Sequence, residues 1–145
     1  MRGGTLRLDR CCIVGGKTSI RCQQGSTVQL DACVLGHANC GIDIRDHSRL
    51  RGNRVEVTGC TRHGVTVQDH SVCVLNLSRV ARHDGGGCMV RSASSMILKD
   101  TDVEHNRGVG VACDGQGSFL HLKHVQVASN HAGGLVLSDA RVPNE

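Results

Sequence analysis

Two tripeptides, Asp46-His47-Ser48 and Asp69-His70-Ser71, recur 23 residues apart and hold the residue types that perform much of hydrolytic chemistry. If successive repeats stack at the strand spacing, two imidazoles and two carboxylates meet within about 5–7 Å. Such a set could hold a metal through imidazole and carboxylate, or do acid and base work. Asp46, His47, Asp69 and His70 are therefore the catalytic candidates. The same residue types are ordinary turn formers whose side chains bond local backbone, and Ala93, Gln116 and Ala140 stand at the equivalent places of later repeats. The turn role takes precedence here, so no catalytic residue, no metal ligand and no cofactor is assigned.

Other chemistry-bearing groups are sparser. His63 beside Gly64, and His83-Asp84 before Gly85-Gly86-Gly87, could be a base or a metal site, but a chain with 9 His places some beside turn glycines by chance. The triple glycine has no following helix whose N-terminus would bind phosphate, and reads as a flexible turn. The densest charge is Arg45, Arg49, Arg51, Arg54 and Arg62 within one repeat. From this group and from two repeats further on, Arg45, Arg49, Arg51 and Arg91 are the candidate binding residues, suited to an acidic peptide or a phosphate. On a three-sided body they are expected to fan over different faces, as a girdle rather than a groove.

What positions these residues is a repeat. The apolar-x-apolar units Ile20-Arg21-Cys22, Ile42-Asp43-Ile44, Val65-Thr66-Val67, Cys88-Met89-Val90, Val111-Ala112-Cys113 and Leu135-Val136-Leu137 follow one another at steps of 22, 23, 23, 23 and 24 residues. Five of them follow a glycine (Gly41, Gly64, Gly87, Gly110, Gly134), where a sharp turn into a strand can use positive φ. A second column holds Val28 and Leu30, Leu50 and Gly52, Cys73 and Leu75, Met96 and Leu98, Leu120 and Leu122. A third holds Leu35, Val57, Val80, Val103 and Val127. Within each repeat the apolar residues alternate with period 2, which places them on short half-buried strands and excludes helical repeats.

The expected fold is all-β: a right-handed single-stranded parallel β-helix solenoid of about six coils of 22–24 residues, three short strands to each coil. Residues 1–145 form one domain, in which 5–18 are an incomplete first coil, 19–137 the repeats and 138–145 a C-terminal tail. Composition agrees with a narrow interior. The 145 residues include one Phe, no Tyr and no Trp, and branched aliphatics and Cys stack on their own kind more readily than rings do. Cys11, Cys22, Cys33, Cys73, Cys88 and Cys113 fall in inward columns as small hydrophobes; Cys11 and Cys33 are also close enough for a disulfide, with packing preferred.

Several classes fall away. Charged residues at 21% interrupt every apolar stretch, which excludes a membrane span, and Gly lacks the every-third period of collagen. The 9 Cys are odd in number, contain no C-x-x-C pair, and follow no apolar leader, so a reducing, cytoplasmic compartment is expected. The net charge of +4 comes without a basic run, and base-stacking rings are lacking, so nucleic acid is not an expected partner.

The frame Gly41-Ile42-Asp43-Ile44-Arg45-Asp46-His47-Ser48, its counterpart Gly64-Val65-Thr66-Val67-Gln68-Asp69-His70-Ser71, and the ladder His37, Cys60, His83, Asn106, Asn130 carry a resemblance. The chain resembles the parallel β-helix repeat family of the pectate-lyase-like superfamily. Its repeats look like the short degenerate ones of polysaccharide-acting enzymes and of F-box substrate-recognition subunits. The resemblance implies that Asn106 and Asn130 stack inside a corner, a pattern from which Cys60, His37 and His83 depart. It also implies that an enzyme site, if present, lies on an outward strand face. There the outward rows Asp43, Thr66, Met89, Ala112, Val136 and Arg45, Gln68, Arg91, Asp114, Ser138 cluster no acids, and Asp43 and Asp114 stand three coils apart, roughly 14 Å. Paired glycosidase carboxylates stand about 5–10 Å apart.

The expected function is a non-catalytic protein-interaction scaffold, part of a larger protein or assembly, with a protein partner. The alternative is a carbohydrate-active β-helix enzyme, lyase-like or hydrolase-like, or its degenerate relative. Neither terminus shows an amphipathic cap for exposed coil edges, so association of coil ends with a second copy or a neighbouring domain is expected.

Overall fold

The computed structural model describes residues 3–138; the tail beyond Ser138, with Ala140 and Pro143, lies outside the described residues. Each coil contributes three strands. They are β1 (Thr5–Asp9), β2 (Cys12–Val14) and β3 (Thr18–Cys22); β4 (Thr27–Asp31), β5 (Val34–Gly36) and β6 (Cys40–Ile44); β7 (Arg49–Asn53), β8 (Glu56–Thr58) and β9 (Val65–Val67). The later coils hold β10 (Val72–Asn76), β11 (Arg79–Ala81) and β12 (Cys88–Val90); β13 (Ser95–Lys99), β14 (Asp102–Glu104) and β15 (Val111–Asp114); β16 (Phe119–Lys123), β17 (Gln126–Ala128) and β18 (Leu135–Ser138). Every third strand pairs in parallel, giving three six-stranded sheets: sheet A from β1 to β16, sheet B from β2 to β17, and sheet C from β3 to β18.

The sequence columns are the register of these sheets. Ile20 lies opposite Ile42, Ile42 opposite Val65, and so on through Cys88, Val111 and Leu135. Alternation then sends Ile42, Ile44, Val65, Val67 and Val90 fully inside, each contributing roughly 1.5–3 kcal/mol of burial. Cys22, Cys33, Cys73, Cys88 and Cys113 are buried free thiols. Cys33 Sγ lies 3.4 Å from the Asp31 carbonyl as a weak donor, and burial pushes the Cys88 thiol up to about 12.

Three corners carry side-chain ladders. At the first, Ser48 Oγ accepts the Ser26 N–H, Ser71 Oγ accepts that of Ser48, and Ser94 Oγ that of Ser71. At the second, Ser78 Oγ accepts the Val55 N–H and Thr101 Oγ1 that of Ser78. At the third, Asn106 Oδ1 accepts the His83 N–H and Asn130 Oδ1 that of Asn106, as the resemblance implied.

His83 corrects the expectation for that ladder. Instead of departing from it, His83 is a rung, 1% exposed. Its Nδ1 accepts the Cys60 N–H at 3.0 Å. That fixes the proton on Nε2, which donates to the Val57 carbonyl at 3.1 Å. Imidazole thus meets both halves of the job an Asn amide does, and burial lowers its pKa to about 4.

The glycines ahead of sheet C also need a different reason. Gly41, Gly64, Gly87, Gly110 and Gly134 have no positive φ. At the middle three the ladder needs their missing Cβ: one on Gly64 would stand 2.5 Å from His83 Nε2, on Gly87 2.9 Å from Asn106 Nδ2, and on Gly110 2.4 Å from Asn130 Nδ2. Gly85 and Gly86 are likewise packed rather than loose, since a Cβ there would lie 2.4 Å from the Arg62 carbonyl and 2.9 Å from that of Val109.

Candidate functional site

The Asp-His-Ser pairs occupy the corner between sheets C and A. Ser48 and Ser71 point inward as ladder rungs, while Asp46, His47, Asp69 and His70 form the outer turn with φ of 57°, 60°, 59° and 58°, a region in which Asp and His are enriched. The rings of His47 and His70 stack at 5.2 Å with 20° between planes. Ser92 and Ala93 continue the turn with φ of 56° each, so the local backbone is kept where the imidazole and carboxylate are not. Among the described residues no three His, Cys, Asp or Glu side chains are grouped to hold a metal.

Chemistry concentrates instead on the outward face of sheet C. Parallel pairing sets Arg21 of β3 beside Asp43 of β6, and Asp43 beside Thr66 of β9. The residues that follow these strands, Arg45, Gln68 and Arg91, keep the same stacking, because their N–H groups bond the carbonyls of Cys22, Ile44 and Val67. The turns that precede the strands stack too: Cys40 N–H donates to the Lys17 carbonyl and Arg62 N–H to that of Asn39. Thr61 Oγ1 donates to Asn39 Oδ1 at 3.0 Å. Strand row, trailing row and turn together wall a cleft of about 250 Å³.

Asp43 lies at its centre and is 4% exposed. Its Oδ2 receives Arg45 Nη2 at 2.6 Å and Arg21 Nε at 3.2 Å. A carboxylate buried between two guanidinium groups holds both side chains in fixed orientations, and removing it would leave them repelling one another. Lys17, Arg62 and Arg91 complete a lining of five cations to one carboxylate. Of the chain's 17 Lys and Arg, the other 12 are balanced by the 12 acids that remain of 13. The net +4 of the whole molecule is thus the charge of this cleft.

Two further groups line it as neutral species. His63 Nδ1 accepts the Gly86 N–H at 3.1 Å; burial, with Arg91 and Arg62 nearby, lowers its pKa, so the proton sits on Nε2 as a donor. Burial pushes the Cys40 thiol up to about 11, and its Sγ rests 3.9 Å from Thr66 Oγ1. Only two buried side-chain polar atoms among the described residues lack a hydrogen-bond partner, Asp43 Oδ1 and Arg45 Nε, and both belong to this cleft.

The structure divides the four candidate binding arginines. Arg45 and Arg91 meet in the cleft, whereas Arg49 and Arg51 project from β7 on sheet A, beside Val72 and Val74 in a broader depression of about 500 Å³. The expected girdle therefore has a concentrated sector, built by adding Arg21, Arg62 and Lys17. Arg21 was open to view in its repeat unit as the outward residue of the first coil. The return of the turn residues Lys17 and Arg62 over the sheet had no sequence signal.

A family model described as right-handed beta helix region matches residues 1–144. The chain belongs to the right-handed β-helix family. No curated protein matches the chain. In this β-helix the inward face of every coil obeys the repeat, and the cleft is where the outward face leaves it. Among the described residues no helix is long and apolar enough to cross a membrane.

Proposed function

We propose that this β-helix is a non-catalytic protein-interaction scaffold whose sheet C cleft receives an acidic segment of a partner protein. The observation that carries this is the five-to-one excess of cations over carboxylates in one cleft, oriented by a buried Asp43. Complementary charge on that scale steers encounter and selects partners. The neutral groups beside it favour binding over turnover: the Cys40 thiol is held protonated, His63 Nδ1 is occupied by the Gly86 N–H, and the one lining carboxylate is committed to two arginines. Glycoside cleavage would ask for two carboxylates about 5–10 Å apart.

Affinity selection from a genetically encoded random peptide library tests this directly. Immobilised protein is expected to enrich peptides rich in Asp and Glu, and Arg62→Glu/Arg91→Glu to abolish the enrichment. A library that enriches nothing acidic, or polysaccharide cleavage lost on Asp43→Ala or Asp69→Ala, overturns the proposal in favour of the carbohydrate-active alternative. Association through the last described coil is a second part of the proposal: among the described residues β18 pairs only with β15, and its Leu135, Val136 and Leu137 are 44–46% exposed. Sedimentation over a range of concentrations is expected to show association through this coil, and a monomer at every concentration counts against it.

A further inference from the structure

The structure assigns the cleft a more particular ligand: we propose that it reads a phosphorylated serine or threonine within an extended peptide. This rests on the acidic-partner reading and narrows it. The two unpartnered buried atoms supply the reason. In native proteins nearly every buried polar atom finds a partner, so each exception asks for one. Here the exceptions are of opposite sense and belong to one ion pair: Arg45 Nε, a donor, and Asp43 Oδ1, an acceptor. A simple anion would satisfy the donor and repel the acceptor. A phosphopeptide offers both complements side by side, phosphate oxygens for Arg45 and a backbone N–H for Asp43.

Charge and space fit the same ligand. A carboxylate brings one charge and a planar pair of oxygens, a shape that suits a bidentate guanidinium. A phosphomonoester brings about −1.5 to −2 and three acceptor oxygens in a tetrahedron, which uses several cations converging from different sides. Arg45 and Arg91 stand two coils apart in one row, roughly 9.6 Å by strand spacing, with Arg21 on one flank and the turn residues Lys17 and Arg62 on another. The cleft's 250 Å³ is the space of about eight waters, comparable to a phosphorylated side chain and too small for a folded module. Binding from an extended segment follows from that size.

The experiment compares three immobilised degenerate peptide libraries, centred on phosphoserine or phosphothreonine, on Glu, and on Ser, with inorganic phosphate as competitor and an anionic oligosaccharide as a separate arm. The wild-type chain is expected to bind the phosphorylated library at least tenfold more tightly than the Glu library, with inorganic phosphate displacing it. Arg45→Lys keeps the charge but removes Nε and the guanidinium fork; it is expected to lower binding of the phosphorylated library by a larger factor than binding of the Glu library, bringing the two to the same level. Equal binding of phosphorylated and Glu libraries overturns the phosphate inference and leaves the acidic-partner reading standing. Binding of neither library above the Arg62→Glu/Arg91→Glu control, or binding of the oligosaccharide alone, overturns both.

Discussion

The two halves of sheet C share a backbone and differ in chemistry. Inward, β3, β6 and β9 carry Ile20, Ile42 and Val65 while β12, β15 and β18 carry Cys88, Val111 and Leu135, interchangeable small apolar residues in one register. Outward, Arg21, Asp43 and Thr66 give way to Met89, Ala112 and Val136. A solenoid repeats what its core requires and leaves its outer rows unconstrained, so departures from the repeat on the outside are where a particular ligand can be specified.

The contrast is broken most severely from within. Gly64→Ala drives a Cβ against His83 Nε2, Val80 and the Gly87 carbonyl, at 2.5, 2.7 and 2.8 Å, and is expected to cost about 3 kcal/mol or more in denaturant unfolding. Next comes the rung itself: His83→Ala orphans the Cys60 N–H and opens a void, costing about 2–4 kcal/mol, while His83→Asn, matching Asn106 and Asn130, is expected to recover most of it.

His83 also sets an acid limit. Folding holds its pKa at about 4, below the ordinary 6.5, chiefly through burial, with His63 lowering it further and Asp84 opposing. The unfolded chain therefore takes up the proton first as pH falls. This contribution is whole above pH 6.5 and declines by roughly 3 kcal/mol as pH drops to 4; His63, shifted the same way, adds to the decline. Urea midpoints across that window are expected to fall for wild type and to flatten in His83→Asn.

Outside the core, effects on stability shrink and effects on binding grow. Arg62→Glu/Arg91→Glu is expected to leave the unfolding midpoint within about 0.5 kcal/mol yet lower acidic-peptide affinity at least tenfold by calorimetry. Ala112→Glu, on the bland half of the same outward row, is the smallest change expected: stability and peptide binding both stay near wild type. Loss of binding there would mean that the ligand surface extends along the whole sheet.

The fold was legible because the core repeats. Strand register from Ile20 to Leu135 and the inward cysteines follow from a step of 22–24 residues, while the Asn106–Asn130 rungs were implied by the resemblance to β-helix repeats. Ser48 and Ser71 were less legible, hidden as the last letter of an Asp-His-Ser motif whose first two letters looked chemical, and Ser94 ends a plain Ser-Ala-Ser. His83 was hidden differently, since an imidazole matches an amide only in the geometry of its two nitrogens. The cleft was half visible: Arg45 and Arg91 share a row by count, but Lys17 and Arg62 join them through turn conformations that no periodicity encodes.

The corner ladders have a direction. At every Ser, Thr, His83 and Asn rung, a backbone N–H is received by a side chain of the coil that comes next in the chain, from Ser26 to Ser48 and from Asn106 to Asn130, while beside the third ladder the Gly86 N–H runs the other way, to His63. Each coil's corners are therefore finished by its successor. On a ribosome, where the earlier coil emerges first, a coil stays open at its corners until about one more repeat has been made. Growth of the solenoid is then a succession of closures, each new coil sealing the one beneath it.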